Sequence, residues 1–225
     1  MSTGNLSNLP MPSFQALITG GAGDLAKAIQ SSLETARIKA LAPSRDELDV
    51  TNADAVNFFF SEVGDIDLLV CNAGMTLDKP LARMTEKEWD EVMRVNLKGA
   101  FHCAREVSRS MMKRRSGHII FISSFSAIHP PAGQANYAAA KSALLGMMKS
   151  MAQELGPRNV RVNAILPGFL ETKMTDNLSD EVKQAVLQKH MLGRFNTPEA
   201  VGEFVAFLHQ QMPHTSGQVF NLDSR

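Results

Sequence analysis

Phe14-Gln-Ala-Leu-Ile-Thr19-Gly20-Gly-Ala-Gly23-Asp24-Leu-Ala-Lys-Ala-Ile29 decides how the rest of the chain is read. Residues 14 to 19 form a short apolar run with the character of a strand. Four residues, 20 to 23, turn the chain, and from Asp24 the apolar side chains recur at helical spacing. Strand, glycine-rich turn and helix together place backbone N–H groups and a helix N-terminus where a phosphate can sit. A plain tight turn has the same pattern, so the reading needs support from the rest of the chain.

The segments downstream of Ile29 supply that support. Residues 38–42 form a second strand that runs into Pro43-Ser44-Arg45, and the short Glu47-Leu-Asp-Val50 run follows. Residues 52–60 predict a brief helix. Residues 67–71 and 118–123 are buried strands ending in Asn72-Ala73-Gly74 and Ser124. Between them, residues 86–114 have a helical period and read as two segments meeting near Asn96. Residues 136–155 are a long helix stopped by Gly156-Pro157. The strand 160–166 ends in Pro167-Gly168, helices follow at 179–190 and 198–210, and residues 219–222 close the sheet. Strands alternate with helices, and several strands are apolar on both faces, which belongs to a parallel sheet covered on both sides. The expectation is an α/β fold, one doubly wound domain of about seven strands over residues 14–225, preceded by a polar tail, 1–13. Ligands in such sheets bind beyond the carboxyl ends of the strands. The glycine turn, Asn72-Ala73-Gly74, Ser124 and Pro167-Gly168 all fall at those ends.

Charge and composition narrow the function classes. The chain has 225 residues, with 23 basic and 23 acidic. No basic excess argues for nucleic acid, and no Lys/Arg-rich tail argues for a membrane surface. No apolar run reaches the length of a membrane span, and residues 1–13 lack the charged start and apolar core of a signal peptide. A cytoplasmic protein is expected. Cys71 and Cys103, the two cysteines, form no C-x-x-C pair and read as buried free thiols. No His/Cys/Asp/Glu cluster has metal-ligand spacing, so no metal is expected.

The chemistry centres on Tyr137-Ala-Ala-Ala-Lys141. Residues i and i+4 of a helix share a face, so this phenol and ammonium face the same way. A free tyrosine has a pKa of about 10, and a nearby cation lowers it. Bringing it near 7 takes roughly 4 kcal/mol of differential interaction, and the result is a general acid poised for work at neutral pH. Tyr137 is the only tyrosine in the chain.

Taken together, these motifs resemble the short-chain dehydrogenase/reductase family over nearly the whole chain. Thr19-Gly20 with the glycine turn, Asn72-Ala73-Gly74, Asn96, Ser124, Tyr137 with Lys141, and Pro167-Gly168 occur in the family's order and approximate spacing. Gly133-Gln-Ala-Asn-Tyr-Ala-Ala-Ala-Lys141, Pro167-Gly-Phe-Leu-Glu-Thr172 and Ser216-Gly217 look most like the beta-ketoacyl-acyl-carrier-protein reductases. The resemblance implies a Rossmann fold and a four-residue catalytic site. Tyr137 would protonate the substrate carbonyl oxygen and Ser124 would hydrogen-bond it. Lys141 would lower the tyrosine pKa and hold the nicotinamide ribose, and Asn96 would position a water leading to Lys141. The spacing to Tyr137 selects Ser124 rather than Ser123.

The resemblance also implies a nicotinamide dinucleotide. Gly20, Ala22, Asp24 and Leu25 would approach its pyrophosphate and Asp49 its adenine. Asn72, Ala73 and Gly74 would lie under the adenosine ribose, with Pro167, Gly168 and Thr172 near the carboxamide. The end of the second strand carries Ser44 and Arg45 instead of the acidic residue that binds a 2′-hydroxyl, which favours NADP(H) over NAD(H). A solvated loop charge is the plainer reading of Arg45. Asp24 stands where the family's turn has glycine: it could cap the helix, and it brings negative charge near a diphosphate, so weaker cofactor affinity is expected. The segment between the second and third strands lacks room for the family's usual helix, and the chain stops at Arg225 where relatives carry Gly-Gly and a short tail, so a more open adenine side and altered subunit contacts near the C-terminus are expected.

For the substrate, residues 172–195 would close over it. Met174, Leu178, Val182, Val186, Met191, Leu192 and Phe195 suit an acyl chain, or else pack as core. The implied reaction is reduction of a 3-oxoacyl thioester on an acyl carrier protein. A reductase or dehydrogenase of another small ketone or secondary alcohol is the alternative, and a non-catalytic cofactor-binding module a third. Arg115 and Arg158, with Lys113 and Arg114, match basic positions that could dock an acidic carrier. A solvated surface accounts for them equally. Relatives are tetramers or dimers built on the two long helices, to which Met147, Met148 and Met151 could contribute.

Overall fold

A computed structural model describes residues 15–173, 175–176 and 178–225. The tail 1–13, Phe14 at the start of the first expected strand, and Met174 in the substrate-closing segment lie outside the described residues. The elements run β1 (Ala16–Ile18), α1 (Asp24–Thr35), β2 (Ala40–Leu41), α2 (Ala53–Val63), β3 (Leu68–Cys71), α3 (Glu86–Met93) and α4 (Gly99–Arg114). They continue β4 (Gly117–Ile122), α5 (Ala135–Leu155), β5 (Val160–Leu166), α6 (Asp180–Leu187), α7 (Pro198–Gln211) and β6 (Val219–Asn221).

All six strands are parallel, in the order β2-β1-β3-β4-β5-β6. This is the doubly wound α/β arrangement. The order reverses between β1 and β3, the crevice where such sheets bind ligands. Alternate strand residues feed two cores. Leu17, Leu69, Ile119, Phe121 and Val162 pack under α2, α4 and α5. Ile18, Leu68, Val70, Ile120 and Ile165 pack under α1 and α7 through Ile29, Leu33, Val201 and Val205. The close approach of α1 and α7 depends on Gly202, where a Cβ would lie 2.7 Å from the Ala28 carbonyl oxygen.

Among the described residues the sheet has six strands, close to the number expected. The Glu47–Val50 run lies outside it. Leu48 and Val50 are buried as their apolar character requires, but beneath α4 rather than in the sheet. The Val50 carbonyl accepts from His102 Nδ1 at 2.9 Å, and Val50 Cγ2 fills the space where a Cβ on Gly99 would lie. The sheet therefore ends at the two-residue strand β2.

Local chemistry sets the helix ends. Asn52 caps α2 by accepting from the Asp54 and Ala55 amides, and Thr85 forms a capping box with Glu88 at α3. Between α3 and α4, residues Arg94–Lys98 form a π turn, with Asn96 fully buried at its centre. The two helical segments meet there, as the period predicted. Among the described residues no helix is long and apolar enough to cross a membrane.

Candidate active site

The glycine turn is shaped by how closely it approaches the sheet. Gly20 has a φ of 76°, and a Cβ on it would lie 2.9 Å from Ala73 Cα. A Cβ on Gly21 would lie 1.9 Å from the Ala42 carbonyl oxygen, so no other residue fits there. Thr19 fixes the neighbouring turn: its hydroxyl accepts from the Asn72 amide at 3.0 Å and the Ala73 amide at 2.9 Å. Asn72 Nδ2 donates back to the Thr19 carbonyl at 3.0 Å. The two strand ends on either side of the crevice are thus joined. Helix α1 starts on Gly23 with no side-chain cap, leaving its first amides for a ligand. A cavity of about 1180 Å³ opens above, along the carboxyl ends of β1, β3, β4 and β5. It exceeds the 300–1,000 Å³ of an ordinary small-molecule site, and a backbone cradle beside an uncapped helix N-terminus suits a dinucleotide diphosphate.

One corner of the cavity holds the polar cluster. Ser124 follows β4 in extended conformation, its hydroxyl accepting from the Ser126 amide at 3.1 Å and hydrogen-bonded to the Tyr137 phenol. Ser123 is buried and donates to the Lys141 carbonyl at 2.9 Å, which pins α5 to the sheet. Helix α5 stacks Tyr137 and Lys141 one turn apart, with Lys141 Nζ 5.6 Å from the phenol ring centre. Burial outweighs the lowering expected from Lys141. Burial pushes the Tyr137 phenol up to about 12, with Ser124 opposing and Asp78 adding to the rise. The Lys141 ammonium points to the Ile122 carbonyl at 2.8 Å instead of the phenol oxygen, and burial brings it down to about 8. Burial thus favours the neutral phenol of Tyr137. Asn96 sits below: its Nδ2 donates to the Met75 and Val92 carbonyls at 2.9 and 3.0 Å, and its Oδ1 accepts from the Met75 amide at 3.2 Å. Between Asn96 and Lys141 lies Gly74, where a Cβ would stand 2.7 Å from Asn96 Oδ1 and 3.4 Å from Lys141 Nζ.

The family model described as Enoyl-(Acyl carrier protein) reductase matches residues 20–224. Three curated relatives bear the name 3-oxoacyl-[acyl-carrier-protein] reductase FabG. That of Thermotoga maritima is 43% identical over 181 residues, covering 78% of this chain and 74% of its own. The Aquifex aeolicus protein is 41% identical over 212 residues (92% and 85%). The Vibrio cholerae protein is 39% identical over 215 residues (86% and 88%). The chain belongs to the short-chain dehydrogenase/reductase family. It is an NAD(P)-dependent oxidoreductase, similar to FabG.

In this short-chain dehydrogenase/reductase, most residues singled out from sequence line the one cavity: Gly20, Asp24, Leu25, Arg45, Asp49, Asn72, Ala73, Gly74, Ser124, Tyr137, Lys141, Pro167, Gly168 and Thr172. Three do not. Asn96 is buried behind Gly74, and Ala22 is exposed at the tip of the glycine turn. The Ser44 amide donates to Glu47 Oε2 at 2.7 Å. Asp49 is tied to the Thr51 amide and hydroxyl at 2.9 and 2.7 Å, and Arg94 Nη1 donates to the same hydroxyl at 2.6 Å. Asp24 does not cap α1. Its Oδ2 accepts from the backbone amide of Lys173 at 2.9 Å.

Arg115 and Arg158 are exposed at the amino ends of β4 and β5, with Arg115 Nη2 donating to the Pro157 carbonyl at 3.1 Å. They are not beside the cavity mouth. The six residues of β4 separate them from Ser124, about 20 Å of strand. Of the methionines considered for subunit contacts, Met148 is fully buried in this chain's own core, and Met147 and Met151 pack against it.

Several lining residues were not legible in the sequence. Asp78, Gln134 and Ser126 form a hydrogen-bonded row, Gln134 Nε2 to Asp78 at 2.7 Å and Ser126 Oγ to Gln134 at 2.8 Å. The Arg225 guanidinium lies 3.9 Å over the Phe125 ring and pairs with the buried Asp223, which also faces His190 at 3.2 Å. Gln134 at least lies inside the family-like string 133–141, whereas nothing in the pattern around Arg225 announces its place.

Proposed function

We propose that this protein reduces a 3-oxoacyl thioester carried on acyl carrier protein to the 3-hydroxyacyl form, with NADPH as reductant. The observation that carries the proposal is the Ser124–Tyr137–Lys141 cluster at the floor of a dinucleotide-sized cavity. The relatives named as 3-oxoacyl-[acyl-carrier-protein] reductases support the substrate class. The cavity lining also includes the apolar Phe125, Phe169, Leu178, Val182 and Val186, which suit an acyl chain.

The glycine turn, Asn72-Ala73-Gly74, Asp49 and the Pro167–Thr172 segment would hold the dinucleotide, which when bound would be the source of hydride for the 3-carbonyl carbon. Ser124 donates a hydrogen bond to the carbonyl oxygen and favours the charge that develops there. Tyr137 transfers its proton to the same oxygen, which completes the alcohol. Lys141, the nearest cation, stabilises the phenolate left behind. Asn96 holds the Gly74–Met75 turn so that a proton can return to Lys141 past the space Gly74 leaves open. Arg45 lines the cavity beyond β2, near Asp49, and the strand end Ala42-Pro43-Ser44-Arg45 lacks the acidic residue that binds a ribose 2′-hydroxyl. Since Glu47 takes the Ser44 amide, Arg45 alone supports the preference for a 2′-phosphate.

Following NADPH absorbance with acetoacetyl thioester and a panel of simple ketones tests the substrate. A kcat/KM at least tenfold higher for the thioester is expected, and a simple ketone outpacing it would move the assignment to the alternative reading. Comparable efficiencies with NADPH and NADH would remove the cofactor preference. Charge reversal at Arg115 and Arg158 should raise KM for carrier-bound substrate and leave a small thioester unaffected. Equal effects on both would remove the carrier site. Because these arginines lie at the far edge of the sheet, a carrier docked there would serve the cavity of a second subunit in a homodimer or homotetramer.

A further inference from the structure

Asp24 occupies the first position of α1, and its carboxylate reaches across the cavity to a residue 149 positions away, the Lys173 amide at 2.9 Å. The contact joins the two walls that a dinucleotide has to enter between: the glycine turn on one side and the start of the substrate-closing segment on the other. Both residues line the cavity. Around Asp24 lie the groups a diphosphate would use, the uncapped amides and positive dipole end of α1. The chain's own carboxylate already stands among them. Beyond Lys173, Thr175 braces the segment. Its hydroxyl accepts from the Thr172 amide at 3.0 Å and donates to the Leu170 carbonyl at 2.8 Å, so the segment's position follows the clasp.

We propose that Asp24 is a positioning residue that clasps the substrate-closing segment to the glycine turn, and that a cofactor diphosphate and this clasp oppose each other. The inference rests on the dinucleotide reading of the cavity. An incoming diphosphate brings like charge beside the Asp24 carboxylate and competes for the donors around it. Binding the cofactor weakens the clasp, and by reciprocity breaking the clasp tightens the cofactor. Cofactor entry thereby frees the Lys173 amide from Asp24.

Two substitutions separate charge from clasp. Asp24→Asn removes the charge but keeps an oxygen that can accept from Lys173. Asp24→Ala removes both. Backbone hydrogen exchange at Lys173 in the cofactor-free protein should rise roughly tenfold or more in Asp24→Ala and little in Asp24→Asn. The NADPH dissociation constant should fall several-fold in Asp24→Asn and further in Asp24→Ala. Unchanged exchange at Lys173 in Asp24→Ala would overturn the clasp, and equal dissociation constants for Asn and Ala would overturn its coupling to the cofactor. If the wild type and both variants bind no NADPH, the dinucleotide reading fails and the coupling with it. The Lys173 exchange then still decides whether the clasp itself exists.

Discussion

The proposed role of Tyr137 as the acid turns on where its neighbours point. The ammonium one helical turn away was expected to lower the phenol, yet Lys141 Nζ is turned to the Ile122 carbonyl and burial prevails. A phenol held near 12 gives up its proton only when negative charge grows on an acceptor beside it, which is what a carbonyl oxygen receiving hydride provides. Gly74 is the other single residue on which the corner depends. Its missing Cβ lets Asn96 and Lys141 approach the same point. Gly74→Ala should therefore lower kcat by tenfold or more and cost about 1–3 kcal/mol of stability. Steady-state rates and urea midpoints check both. A variant with full activity would remove Gly74 from the proton route.

The turns at the strand ends do more to build the site than the helices. Thr19 holds two amides of the Asn72-Ala73 turn with one hydroxyl. Thr19→Val keeps the volume but leaves both buried donors without a partner, at about 1–3 kcal/mol each. Loss of cofactor affinity should accompany the loss of stability, and calorimetry with fluorescence titration measures the two. The alternation of strands and helices, the glycine turn and the Tyr137–Lys141 pair were readable because each is a local pattern. The parts that were not readable depend on distant partners. Leu48 and Val50 form a short apolar run without a pattern of its own, and it is His102 on α4 that claims the Val50 carbonyl. Asp24 looks like a cap, but its partner Lys173 lies far along the chain. The basic residues 115 and 158 could be matched by position, but only the fold shows which edge of the sheet they occupy.

Considered as a whole, the molecule stores an acid sensitivity far from the cavity, where β4, β5 and α7 meet. His118 is fully buried, its Nε2 3.0 Å from Asn163 Nδ2, and its ring stacks on His209 at 5.7 Å. Arg161, which donates to the Leu208, His209 and Met212 carbonyls, adds positive charge beside both rings, opposed at His209 by Asp67. Burial first and Arg161 second hold His118 well below its usual range and bring His209 to about 4. Both folded values lie below the unfolded value near 6.5, so the unfolded chain binds more protons as pH falls below about 6.5, and stability drops toward pH 4. From about pH 7.5 to 5, His209 alone should cost roughly 2 kcal/mol. Urea midpoints at the two pH values should show that loss in the wild type and a smaller one, by about that amount, in His209→Phe. Equal losses would place the acid sensitivity elsewhere.

The proposed function rests on proton delivery by one side chain, so Tyr137→Phe is the most direct test. Stopped-flow NADPH oxidation with acetoacetyl thioester should show kcat lowered by about 10²–10⁴. The NADPH dissociation constant should change less than about twofold, because the ring remains and only the proton donor is gone. A phenylalanine variant that keeps more than a tenth of wild-type kcat would contradict the assignment of Tyr137 as the acid.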